Sequence, residues 1–71
     1  MTKKELFVVT KTSELTRESF IIALATKHED AQKLYGKSIE KGFISEVYKV
    51  ETGVLDVNLL KAENLLFTNQ K

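Results

Sequence analysis

Apolar residues gather along this chain in short blocks whose spacing changes from one block to the next. Residues 5–11, Glu-Leu-Phe-Val-Val-Thr-Lys, are rich in β-branched and aromatic types, too short for a typical helix and polar at both ends. That pattern predicts a strand. Thr12 to Glu18 is polar and reads as a connection. Ser19-Phe-Ile-Ile-Ala-Leu-Ala-Thr26 follows at hairpin distance, and its near-continuous hydrophobicity suits a strand buried on both faces or central in a sheet. The other reading of this run is the start of one long helix.

Against the long helix stands the stretch that follows. Thr26-Lys27-His28-Glu29 fits the capping-box pattern, in which the threonine hydroxyl accepts from the amide three residues on and the glutamate reaches back to the cap amide. A helix is expected to begin near Lys27. Ala31, Leu34, Tyr35 and Ile39 follow a helical stripe, Glu29 and Asp30 sit near its start, and Lys37 and Lys41 near its end, as the macrodipole favours. Gly42 then stands where a left-handed residue closes a helix, with Phe43 behind it to make the accompanying apolar contact.

Phe43 to Glu51 alternates in part, with Ile44, Tyr48 and Val50 on one face and Phe43 and Val47 on the other, and predicts another strand. Thr52-Gly53 separates it from Val54-Leu55-Asp56-Val57 as a two-residue hairpin connection. Asn58 is a candidate cap for the closing segment, Leu59 to Phe67, which fits either a short helix or a helical turn followed by a last strand. The order β-β-α-β-β with a C-terminal apolar helix or strand predicts a small α+β two-layer fold. One main helix would cover one face of a mostly antiparallel sheet.

The blocks "ELFVVT", "FIIALAT", "T-K-x-x-D-A" opening a helix and "VYKVE" resemble those of small uncharacterised phage and prophage accessory proteins, over residues 5–51. The resemblance implies a β-β-α-β unit that acts by binding a host protein. It carries over no catalytic or binding residue.

Composition narrows the field further. Seventy-one residues make a single domain, 1–71, because a chain this short buries only about 60% of the surface its unfolded form exposes. There is no cysteine and therefore no disulfide or thiolate metal site, so self-association would relieve a thin core. Hydrophobic content of 42% with 30% charged residues is ordinary for a folded domain. The basic N-terminus, Met1 to Glu5, is followed by too short an apolar run for a signal peptide, and no segment approaches the roughly eighteen apolar residues of a membrane span. The chain is expected to be cytoplasmic.

Candidate chemistry is sparse. His28 is the only histidine, and without cysteine or a second histidine it lacks the converging ligands a metal needs. An exposed histidine near the start of a helix is the plain reading. The carboxylates Glu29, Asp30, Glu40, Glu46, Glu51 and Asp56 are scattered, with no nucleophile elbow and no glycine-rich phosphate loop. No catalytic residue, metal, cofactor or small-molecule substrate is expected.

Two surfaces remain as candidates. Leu59, Leu60, Leu65, Leu66 and Phe67 cannot all point inward from so short a segment, and with Tyr48 they form the expected protein interface, toward a hetero-partner or a second copy. Lys33, Lys37 and Lys41 recur every four residues along the expected helix and would form a strip for a nucleic-acid partner. That second reading ranks lower. The net charge is only +1, Arg17 is the sole arginine, and Glu29 and Glu40 dilute the strip.

Overall fold

Strand β1 (Leu6–Ser13) is the axis of the structure, a computed structural model that describes residues 4–51 and 56–69. After it come β2 (Ser19–Ala25), α1 (His28–Ser38), β3 (Phe43–Val50), two 3-10 turns at Val57–Leu59 and Ala62–Asn64, and β4 (Leu65–Thr68). The sheet is antiparallel throughout in the order β2-β1-β3-β4. Because β2 and β3 flank β1 and run parallel to each other, α1 must carry the chain across one face of the sheet between them. The expected α+β two-layer fold is present. No helix among the described residues is long and apolar enough to cross a membrane.

Alternation along the strands sends Phe7 and Val9 of β1, Ala25 of β2 and Val47 of β3 toward the helix, where they meet Ala31 in the core. Ala31 is wholly buried, and its single methyl lets the helix lie close to the strands. Ala23, Leu34, Tyr35 and Phe67 pack around this cluster. On the opposite face, here called the far face, Val8 and Val50 are equally buried.

The helix ends earlier than its sequence suggests. Ser38 donates its hydroxyl to the Tyr35 carbonyl at 2.7 Å, while its own carbonyl accepts from the Ser45 hydroxyl at 3.1 Å. Those bonds satisfy last-turn carbonyls without another turn of helix. Ile39 is therefore extended and half exposed, and Ser38, not Ile39, completes the buried stripe. Gly42 does take a positive φ, of 90°, but within the turn closed by the Phe43 amide on the Glu40 carbonyl. At the other end the capping box does not form. The cap residue is Lys27, without a side-chain cap bond, and the helix starts at His28.

The C-terminal segment is a helical turn plus a strand; the apolar helix is not formed. Asp56, not Asn58, supplies the cap, its carboxylate accepting from the Asn58 amide at 2.9 Å. Asparagines bracket β4: Asn64 donates its side-chain amide to the Lys49 carbonyl, and Asn69 accepts from the Ser45 amide. The expected hairpin at Thr52-Gly53, with Val54 and Leu55, lies outside the described residues, and Val57 opens a 3-10 turn.

The β1–β2 connection is held by the Ser13 amide on the Glu18 carbonyl and the Arg17 amide on the Ser13 carbonyl, both at 2.9 Å. This closure forces Arg17 to φ 66°, a left-handed conformation that costs a residue with a Cβ about 1–2 kcal/mol. Arg17→Gly should therefore raise stability by about 0.5–1 kcal/mol after the entropy glycine adds to the unfolded chain, read as a shift in urea midpoint.

Candidate functional site

The sequence of β2, Ser-Phe-Ile-Ile-Ala-Leu-Ala, predicts a central strand, yet the structure leaves it at the edge of the sheet. It is bonded to β1 alone. The reason is topological, since α1 takes the chain away over β1 and neither later described strand returns to the outer side of β2. Phe20 is 49% exposed, Ile21 38%, Ile22 45% and Leu24 48%, which concentrates half of the eight large exposed apolar side chains among the described residues in this one strand. It carries no charge and no proline, the usual devices that keep an edge from pairing.

The register divides these side chains between the two faces. Ile21 lies opposite Thr10 and Leu24 opposite Val8, both on the far face, while Phe20 lies opposite Lys11 on the helix side. Ile22 is the extra residue of a bulge, because Val9 pairs with Ala23 and Thr10 already with Ile21. Beside the strand, Leu6, Leu24 and Ala25 of the sheet and Lys33, Leu34 and Lys37 of the helix line an open depression of about 510 Å³. Asp30 lines it too, so an apolar floor and a rim of mixed charge adjoin the free edge.

Of the residues expected to form a C-terminal interface, Leu65 and Tyr48 lie together on the far face while Phe67 lies on the helix side. Phe67 lies opposite Val47 on the helix side, its ring 5.4 Å from His28 and 5.7 Å from Tyr35. Leu65 lies opposite Tyr48 on the far face. Tyr48 donates its hydroxyl to Glu46 at 3.1 Å, and burial, then the adjacent carboxylate, raise its pKa above the ordinary tyrosine value. Leu66, the extra residue of a second bulge, is 41% exposed, Leu60 is half-buried, and Leu59 falls in the first 3-10 turn. Phe67 in particular is occupied by the core.

The lysine strip is broken as well. Lys33 and Lys37 are exposed on α1, but Lys41 lies beyond its end in the turn before β3. None of the three forms an ion pair among the described residues. A cleft at the opposite end of the sheet, about 730 Å³, is lined by Glu14, Arg17, Glu40, Lys41 and Glu46, whose alternating signs offer no uniform field to a charged ligand. Lys11 pairs with Glu40 and lies 4.7 Å over the Phe43 ring, two residues that line this cleft.

His28 has a structural role that its exposure conceals. Its ring stands edge-on to Phe7 at 5.8 Å and tilted against Phe67, closing one end of the aromatic cluster. Among the described residues no group of three or more histidine, cysteine, aspartate and glutamate side chains is placed to hold a metal. The signal missed in the sequence was the absence of any charge from residue 19 to residue 26, which reads equally as core and as contact surface. No protein-family model, curated protein or solved structure matches the chain.

Two substitutions test these placements. His28→Ala should cost about 1 kcal/mol by removing two aromatic contacts, whereas Thr26→Ala should change stability by less than about 0.5 kcal/mol, since it breaks no cap bond. The order of their melting temperatures is the readout. Thr10 is 5% exposed, and its hydroxyl oxygen has no hydrogen-bond partner. Thr10→Val keeps the shape and removes the unpaired group, so it should stabilise the chain by about 1 kcal/mol in the same assay.

Proposed function

We propose that this chain is a small cytoplasmic protein-interaction module that binds by adding a strand to the free edge of β2. The observation that carries the reading is the combination in β2 of an unpaired backbone edge with Phe20, Ile21, Ile22 and Leu24 exposed and no charge between them. Main-chain hydrogen bonds along such an edge supply affinity, and the alternating side chains supply selectivity. A phage-type accessory role rests on the sequence resemblance alone. Leu66, on the opposite edge strand, is a secondary contact in this proposal, β4 being only four residues long and held at both ends by asparagines.

A nucleic-acid role through Lys33, Lys37 and Lys41 is the second reading, favoured only by the absence of ion pairs at those lysines among the described residues. Binding assays on purified variants separate the two. Ile21→Lys and Leu24→Lys should abolish protein association while leaving the far-ultraviolet circular dichroism unchanged. The triple Lys33→Gln, Lys37→Gln, Lys41→Gln variant should bind as the parent does, and Leu66→Lys should have the smaller effect. Tight DNA or RNA binding that falls steeply with salt and disappears in the triple variant would overturn the proposal in favour of the second reading.

A further inference from the structure

We propose that the occupant of the β2 edge is a second copy of this chain, joined by antiparallel β2–β2 pairing about a two-fold axis perpendicular to the sheet. This deepens the interaction reading above and rests on it. Two independent observations select the same register.

The first is the direction of the side chains. In such a pair every residue must oppose one whose side chain points to the same face. Ser19, Ile21 and Leu24 project to the far face, and Phe20, Ala23 and Ala25 to the helix side, because the bulge at Ile22 reverses the alternation halfway along the strand. Opposing Phe20 to Leu24 of the second copy, as an unbroken strand would allow, sets one face against the other. Opposing Ile21 to Leu24 matches the faces on both sides of the bulge and brings Phe20 opposite Ala25.

The second is charge. The strand is bracketed by Glu18 and Lys27, both exposed and neither in an ion pair among the described residues. In the register that sets Ile21 opposite Leu24, Glu18 of each copy falls opposite Lys27 of the other, once at each end of the junction. The shorter register that opposes Phe20 to Ala23 also matches faces, but it places the Glu18 carboxylate against Ala25 and leaves Lys27 outside the overlap. Only the former satisfies both conditions. Between the two ion pairs the contact is uncharged, so nothing within it repels a copy of itself.

Sedimentation equilibrium of the full chain across the micromolar range tests the assignment. The expected result is a dimer that Glu18→Lys and Lys27→Glu each weaken by about tenfold, since attraction becomes repulsion at both ends, and that the double variant restores. Both residues are exposed, and circular dichroism of each variant confirms that it is folded. A monomer at every concentration, or a dimer indifferent to both reversals, or a double variant no stronger than the single ones, would overturn it. The two proposals fail separately. A monomeric chain whose binding to another protein is lost in Ile21→Lys removes self-pairing and keeps the interaction reading; a dimer unaffected by Ile21→Lys and Leu24→Lys removes both.

Discussion

The alignment of β1 with β3, eight residues on each strand in unbroken register from Leu6 against Val50 to Ser13 against Phe43, is the contact on which the rest of this structure depends. It fixes the far side of the crossover and therefore the path of α1. It also sets Phe7, Val9 and Val47 side by side as the floor on which Ala31 rests. The helix-side cluster is built mainly from valine and alanine, with Phe7 its one large fully buried side chain. Such a floor buries little area per residue. The aromatic group of His28, Tyr35 and Phe67 compensates at one end, which ties a surface histidine and the last strand to the stability of the centre.

Local chemistry was legible in the sequence wherever it was decided by neighbours along the chain. The four long elements, the β1–β2 connection and the positive φ at Gly42 follow from period, composition and the preference of glycine for the left-handed region. The start of α1 was legible to within a residue, but its end was not, because it was decided by hydrogen bonds absent from the local pattern. Ser38 and Ser45 take the carbonyls that would have continued the helix, and at the start Lys27 rather than Thr26 occupies the cap position. Loss of that extra turn also separates Lys41 from Lys33 and Lys37.

The site was the less legible part, for a reason that lies in topology. Near-continuous hydrophobicity in β2 reads the same for a central strand as for an edge strand with exposed apolar side chains. Only the order β2-β1-β3-β4 separates those cases, and strand order depends on the nonlocal pairing of β1 with β3. The leucines near the C-terminus show the same dependence on nonlocal pairing. The bulge at Leu66 in the short β4 sets Leu65 on the far face and Phe67 on the helix side, so these apolar residues adjacent in sequence do not all share one face.

The same order of pairing has a kinetic consequence. Contacts between β1 and β2 close a short loop, whereas those between β1 and β3 must wait for the whole of α1 and the turn at Gly42, a larger loss of chain entropy before any gain. During synthesis the first hairpin therefore emerges as a ribbon with no third strand and no helix above it. Its apolar side chains are then bare on both sides until β3 arrives. The interval between those two events is when the nascent chain is most exposed to wrong partners, and the time synthesis needs to deliver residues 26–50 governs how long it lasts, since helix formation is far faster.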